Sequence, residues 1–157
     1  NQGNSGGPLA NSNGEVIGIT NSKLSSSYSS ASIENMGFAI PIEDAVSVAE
    51  KISENNGKVK YPVLGVKTYT VEGAKYNKLP IDDDVTYGAV IAEVISGSAA
   101  AKGGLKENDV IISIEDKKVE NTLYLKYYLN RYSVGDKVTL TVIRDGKEKK
   151  ISVTLKD

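Results

Sequence analysis

The sequence predicts a mainly β protein with a few helices, folded as two units. Most of the chain consists of short apolar or alternating runs bounded by glycine, asparagine and proline, the pattern of short strands and turns. Helical periodicity is confined to a few short segments. The pattern changes near residue 57, so we place a boundary there between units 1–57 and 58–157. A length of 157 residues accommodates two small domains.

The composition is that of an ordinary folded protein and argues against several functions. Apolar residues make up 39% of the chain and charged residues 25%. A net charge of -1 disfavours a nucleic-acid partner, and the lack of cysteine and histidine disfavours disulfides and the usual metal sites. No apolar run reaches the roughly 20 residues of a membrane span. We therefore expect no nucleic acid, no metal and no cofactor.

The first unit should contain two strands and one helix. The strands are predicted over residues 16–20 and 38–40, with a serine-rich surface loop over 22–32 between them. Over residues 42–52 apolar side chains recur at helical spacing, and acidic residues occupy the first turn. Asn55, Asn56 and Gly57 should end this helix.

The second unit should consist of strands interrupted by two helices. Ser98 is expected to cap a one-turn helix over residues 99–102, ended by Gly103. A longer helix, capped by Asn121 or Thr122, should run to about Tyr132. Strands are predicted over residues 63–70, 89–95, 109–114, 137–144 and 147–155, the last two joined by a turn at Asp145-Gly146.

The sharpest motif is a serine in a glycine-rich turn, GNSGGPL at residues 3–9. Flanking glycines allow a tight turn that exposes the Ser5 hydroxyl and lets a substrate carbonyl approach the backbone. In acyl transfer, the backbone N–H groups of Gly3 and Ser5 could hold the negative oxygen of a tetrahedral intermediate. Taken alone, such a cluster is more often a simple turn.

Two further motifs favour the catalytic interpretation: GEVIGI at residues 14–19 and GFAIP at residues 37–41. In this order the three motifs resemble the last part of the chymotrypsin-like protease domain of the HtrA family. The resemblance implies that Ser5 is the nucleophile, that Gly3 and Ser5 form the oxyanion hole, and that residues 21–35 form a mobile regulatory loop. The residues implied to line the cleft and pair with substrate backbone are Ile19, Thr20 and Asn21.

The family's catalytic base has no counterpart in this sequence. A serine hydroxyl is a weak nucleophile until a neighbouring base takes its proton, and the 157 residues contain no histidine. The chain also opens within a motif at Asn1, so the resemblance implies that the triad histidine and aspartate lie in an upstream portion. We therefore expect the 157-residue chain alone to have no proteolytic activity.

A second motif, YPVLGV at residues 61–66, places a glycine between apolar residues. Successive backbone amides of Leu64, Gly65 and Val66 can converge on a terminal carboxylate, and the edge of the following strand can accept an extended peptide. From these residues alone, a strand with a glycine bulge is the simpler explanation.

The longer segment SAAAKGGLKENDVI at residues 98–111 resembles the PDZ domain of HtrA proteins, a partly open β-barrel with two helices. Residues 72–80 resemble a short insertion of this subgroup. Asp82, Asp83 and Asp84 lack the loop spacing of a calcium site and are interpreted as a solvated loop. With Gly65 in the carboxylate loop, the residues expected to line the peptide groove are Leu64, Val66, Leu125, Tyr128 and Leu129.

The two motif sets cover nearly the whole chain in the family's own order, so the chain is identified as the C-terminal part of an HtrA-like serine endopeptidase. The resemblance implies a parent that cleaves misfolded or damaged proteins outside the cytoplasm and binds C-terminal or extended apolar peptides. It also implies a homotrimer and an N-terminal membrane anchor. Two alternatives stay open: a peptide-binding module whose first unit is a remnant, and a pseudoprotease scaffold without catalysis.

Overall fold

The computed structural model describes residues 3–23, 37–54, 56–57 and 59–157. The chain divides into two compact units, residues 1–59 and 60–157. The predicted serine-rich and regulatory loops lie outside the described residues from position 24 to position 36, as do Asn1 and Asn55. Within the described part, no helix is long and apolar enough to cross a membrane.

The first unit is a three-stranded antiparallel sheet followed by a helix. Its strands are β1 (Pro8–Ala10), β2 (Val16–Lys23) and β3 (Gly37–Pro41), hydrogen-bonded in the order β1-β2-β3, and helix α1 spans Ile42–Glu54. Strands β2 and β3 and helix α1 confirm the predicted elements and extend each by a few residues. Strand β1 was not predicted because three residues beside a glycine-rich turn carry no alternating pattern.

The described residues of the first unit bury almost no side chains. Among the residues of this unit whose burial is described, only Gly18 is buried, and it has no side chain; a Cβ there would lie 2.8 Å from the carbonyl oxygen of Ile40 on the paired strand. A sheet and a helix with apolar faces require a further layer to cover them. The large apolar side chains that stay between 37% and 50% exposed in this unit are Leu9, Val16, Ile17, Phe38, Ile40, Val46, Val48 and Ile52.

The second unit is built on one sheet with three helices. Its strands are β4 (Val66–Thr70), β5 (Ala89–Val94), β6 (Val110–Ile114), β7 (Lys117–Lys118), β8 (Lys137–Arg144) and β9 (Lys147–Thr154). They lie in the order β4-β5-β6-β8-β9, and β7 pairs with β6. The helices are α2 (Val71–Tyr76), α3 (Ala99–Gly103) and α4 (Thr122–Leu129).

Two apolar clusters cover the opposite faces of this sheet. Because strand side chains alternate, Ile91 and Val90 belong to different clusters. The larger cluster joins one face to α3 and α4 through Ala99, Ala100, Leu125 and Leu129. The smaller cluster joins the other face to α2 through Val71 and Ala74. The second unit therefore has a core of its own.

Helix α2 is an element that the sequence analysis did not find. It lies in the segment interpreted only as an insertion, so the second unit has three helices rather than two. Thr70 caps it, since its hydroxyl accepts a hydrogen bond from the backbone N–H of Gly73 at 3.1 Å. Its six residues are too few for a helical period to stand out in the sequence.

Three predicted boundaries are corrected by backbone geometry. Strand β4 begins at Val66 rather than at residue 63, because Gly65 has a φ of 74°. Gly104, with a φ of 84°, ends α3, whereas Gly103 stays in the helix, where a Cβ would lie 2.6 Å from Cγ2 of Val153. Helix α4 is capped by Asn121 and ends at Leu129 rather than near Tyr132.

One buried ion pair joins the turn after α3 to the end of β8. Asp109 has no exposed surface, and its two carboxylate oxygens accept hydrogen bonds from Nε and Nη2 of Arg144, each at 2.6 Å. The backbone N–H of Lys106 donates to the same carboxylate at 2.9 Å, and Nη2 of Arg144 also donates to the carbonyl oxygen of Gly104 at 2.9 Å. The hydrogen bonds to Asp109 raise the pKa of Arg144 above its usual value.

Replacing Arg144 with alanine should lower the free energy of unfolding by about 3–5 kcal/mol, because the Asp109 carboxylate would stay buried without its partner. Urea unfolding followed by circular dichroism measures this change. The matched control is Lys149→Ala, which removes the exposed 3.8 Å pair with Asp145 and should cost less than about 1 kcal/mol. Equal losses in the two variants would show that the buried pair does not stabilise the second unit.

Candidate functional sites

The first candidate site is the turn that carries Ser5, which is hydrogen-bonded to strand β2. Gly3 and Gly6, on either side of the serine, have φ values of 101° and 85°. The N–H of Gly6 donates to the carbonyl oxygen of Thr20 at 2.7 Å, and the N–H of Thr20 donates to the carbonyl oxygen of Gly7 at 2.9 Å. The part of the turn that follows Ser5 is therefore held against the strand, and the serine itself is exposed.

The structure brings Ser5, Thr20 and Asn21 together. The Ser5 hydroxyl donates to the carbonyl oxygen of Asn21, and the Thr20 hydroxyl donates to the carbonyl oxygens of Asn4 and Gly7. Among the described residues, the backbone N–H groups of Gly3 and Ser5 make no hydrogen bond. These two donors are thus available to an incoming oxygen, as the predicted oxyanion hole requires.

The backbone of Ile19 and Thr20 is already paired within the sheet. Ile19 lies opposite Pro8 on β1 and Ile40 on β3, and both backbone groups of Thr20 are bonded to the serine turn. Pairing of a substrate backbone with these residues stays a prediction, and it would require these hydrogen bonds to be exchanged.

The second candidate site is a groove of ≈ 840 Å³ between β4 and α4 in the second unit. Strand β4 is the first in the sheet order, so one of its edges has no neighbouring strand among the described residues. The alternating residues Val66 and Thr68 of β4 line the groove. The complete lining consists of Tyr61, Pro62, Val63, Leu64, Gly65, Val66, Thr68, Ile95, Thr122, Leu123, Leu125, Lys126, Leu129 and Asn130.

Five of the six predicted groove residues line this groove, and Tyr128 lies elsewhere. The ring of Tyr128 packs against those of Tyr124 and Tyr127, at centroid distances of 6.1 and 5.5 Å, on another face of α4. Helical spacing explains this difference. Leu125, Lys126 and Leu129 follow Thr122 by three, four and seven positions and share its face of the helix. Tyr128 follows it by six positions and lies on another face. The same spacing identifies Lys126, which the sequence analysis missed.

The groove ends at two successive backbone amides without a partner. Leu64 is buried, and within the described part of the chain neither its N–H nor that of Gly65 makes a hydrogen bond. Their carbonyl oxygens, in contrast, accept from the N–H groups of Ala100 at 2.8 Å and Ile95 at 3.0 Å. Buried backbone donors are rarely left unpaired, and successive amides at a positive φ form an anion-binding concavity.

No side chain could replace the glycine at this turn. A Cβ on Gly65 would lie 2.4 Å from Cβ of Ser98, the residue that caps α3 through a hydrogen bond from the N–H of Ala101 at 3.1 Å. The turn and the start of α3 are thus in direct contact. Leu64 and Gly65, whose amides make no hydrogen bond among the described residues, both line the groove.

The aspartate-rich loop is held by a lysine. Nζ of Lys75 donates to the carbonyl oxygens of Asp83 at 2.8 Å and Val85 at 3.0 Å. The side chains of Asp82, Asp83 and Asp84 are exposed. Over the described ranges, no group of three or more acidic side chains has the arrangement of a metal site.

Comparison with protein families assigns both units. Residues 62–155 match the PDZ domain family, and residues 1–49 match the trypsin family. A serine protease Do-like HtrA of Lactobacillus helveticus is 39% identical over 158 residues, which is 99% of this chain and 38% of the relative. A serine protease Do-like HtrB of Bacillus subtilis is also 39% identical, over 99% of this chain and 34% of its own length.

Solved structures agree with this assignment. An HtrA-type protease AlgW with a bound decapeptide has a TM-score of 0.66 and 34% identity, covering 99% of this chain and 46% of that one. The same protease with a tripeptide has a TM-score of 0.67 and 30% identity, covering 99% of this chain and 50% of that one. The fold is thus similar to that of a trypsin-like serine protease segment followed by a PDZ domain.

The chain belongs to the PDZ domain family through residues 62–155, and over nearly its whole length it is similar to serine proteases named HtrA. It spans half or less of the length of the relatives and structures described above.

Gly65→Ala should destabilise the second unit, because the new Cβ would collide with Ser98 and displace the turn. Gly97→Ala is the matched control: its φ of 72° imposes the same backbone strain, but no atom lies within 4 Å of the added Cβ. The control should lose about 1–2 kcal/mol from backbone strain alone, and Gly65→Ala clearly more. Equal unfolding free energies of the two variants in urea would contradict the collision.

Proposed function

We propose that this chain supplies the nucleophile, the oxyanion hole and the peptide-sensing domain of a serine endopeptidase. The observation that carries the peptide-sensing role is the pair of unpartnered amides of Leu64 and Gly65 at the end of an apolar groove. A free strand edge beside that groove allows an extended peptide to add as a further strand. A terminal carboxylate would accept hydrogen bonds from the two amides.

In the catalytic role, Ser5 attacks the scissile carbonyl, and the N–H groups of Gly3 and Ser5 hold the developing negative oxygen. The hydroxyl of Ser5 donates to a carbonyl oxygen, Asn21 O, which cannot take up its proton as a catalytic base does. No residue of this sequence is a histidine. The base and the aspartate that orients it therefore belong, in this proposal, to the part of the protease that the chain does not contain.

The substrates of the whole enzyme are proposed to be misfolded or damaged polypeptides outside the cytoplasm. One relative, 38% identical over 155 residues, is named as a probable periplasmic serine endoprotease of Marinomonas. The family resemblance supports a homotrimer and an N-terminal membrane anchor in the parent. The groove would bind C-terminal or extended apolar peptides, and the balanced charge of the chain disfavours nucleic acid as a partner.

The 157-residue chain should show no Ser5-dependent hydrolysis of an unfolded protein such as casein, because it lacks a base for the serine. In the full-length protein, Ser5→Ala should lower kcat by a factor of about 10⁴ or more. Ser12→Ala, in the exposed turn between β1 and β2, is the control and should leave kcat unchanged. Hydrolysis by the short chain that disappears with Ser5→Ala would refute the assignment of the base to another part.

A peptide with an apolar C-terminal residue should bind the chain at least about tenfold more tightly as the free acid than as the C-terminal amide. The difference reflects charge-assisted hydrogen bonds to the two free amides. Titration followed by amide chemical shifts measures both affinities and locates the site, which should show shifts at residues 64–69. Equal affinity of the two forms would disprove carboxylate recognition while leaving the protease assignment intact.

A further inference from the structure

Lys126 is the only charged residue among the described residues that line the groove. It lies on the exposed side of α4, one helical turn after Thr122, and shares the groove face with the buried residues Leu125 and Leu129. No carboxylate among the lining residues offsets its charge.

Two other lysines of this sheet are already paired with carboxylates. Lys67 on β4 lies 2.7 Å from Glu93, and Lys118 lies 2.8 Å from Glu120. Hydrogen bonding to these carboxylates raises the pKa of both lysines. Lys126, in contrast, forms no ion pair within the described part of the chain. Its ammonium group is therefore available to a ligand.

The surroundings strengthen the field of this ammonium group inside the groove. Most of the lining is apolar, and low-dielectric walls focus the field of a charge into a cleft. A single uncompensated positive charge therefore favours negative side chains and disfavours positive ones along the whole bound segment. The two amides of Leu64 and Gly65 already account for the terminal carboxylate, so the lysine acts on other charges of the peptide.

We propose that Lys126 is a specificity-determining residue of the groove, which makes the second unit select peptides with an acidic side chain in the few residues before the C-terminal one. This inference rests on the proposed peptide-binding function. The apolar groove and the two amides bind the C-terminal end of a peptide. Lys126 determines which charge is favoured on the residues just before that end. Peptides with a lysine or arginine in the same positions are disfavoured by repulsion.

The test uses apolar-ended, fluorescein-labelled peptides that differ only in carrying Glu, Gln or Lys at one of the three positions before the last residue. Fluorescence anisotropy with the whole chain gives each dissociation constant. At the most sensitive position, the Glu peptide should bind about two- to fivefold more tightly than the Gln peptide, the range of a partly exposed ion pair, and the Lys peptide more weakly. Raising the salt concentration to 0.5 M should reduce the preference.

Lys126→Gln should abolish this preference, and Lys126→Glu should reverse it, while both variants keep the preference for free acid over amide. The control is Lys147→Gln, an equal charge change at the exposed start of β9. It should leave the ratios between the dissociation constants of the Glu, Gln and Lys peptides as they are in the parent chain. A preference for acidic peptides that survives in Lys126→Gln would overturn the inference, as would equal binding of the three peptides to the parent chain. Failure of every free-acid peptide to bind would overturn the proposed groove function as well.

Discussion

The contact between Gly65 and Ser98 is the constraint on which the groove between β4 and α4 depends. Gly65 has a positive φ and lies against the start of α3, where only a residue without a Cβ fits beside Ser98. The carbonyl oxygens of Leu64 and Gly65 accept hydrogen bonds from the N–H groups of Ala100 and Ile95, and their own amides have no hydrogen-bond partner among the described residues. A larger residue at position 65 would open this contact and with it the end of the groove.

The buried Asp109–Arg144 pair stabilises the end of α3, the helix that Gly65 contacts. It connects the turn that follows α3 with the end of β8, and its Arg144 also bonds to Gly104, which ends that helix. Helix α3 is thereby held at its beginning by Ser98 and at its end by Gly104. A rigid α3 matters because it contacts the turn that carries the amides of Leu64 and Gly65. Two amides bind an anion more strongly when they are already oriented before binding.

The two units differ in how much of their stability lies within their own described residues. The second unit buries two apolar clusters, one on each face of its sheet. The first unit has a regular sheet and helix, yet its large apolar side chains remain partly exposed. Since burial of apolar surface is the main favourable term in folding, the serine turn in the first unit needs a further covering layer to be held as firmly as the groove.

The sequence by itself determined the elements whose signals are local. The Asp145-Gly146 hairpin, the cap at Ser98, helix α1 and the exposed turn at Ser5 follow from turn chemistry and periodicity within a few residues. The groove residues Leu64, Val66, Leu125 and Leu129 followed from the resemblance and from the apolar pattern. Local signals failed where two residues are equally suited in sequence, as with Gly103 and Gly104.

Only the tertiary structure decided between such alternatives, because the deciding contacts join residues far apart in the chain. Val153 on β9 leaves no room for a side chain at Gly103, and Ser98 leaves none at Gly65. The orientation of α4 against β4 placed Lys126 in the groove and Tyr128 outside it. The unpartnered amides of Leu64 and Gly65 could likewise be recognised only after every neighbouring hydrogen bond had been assigned, since a free donor is a property of its surroundings and not of its residue type.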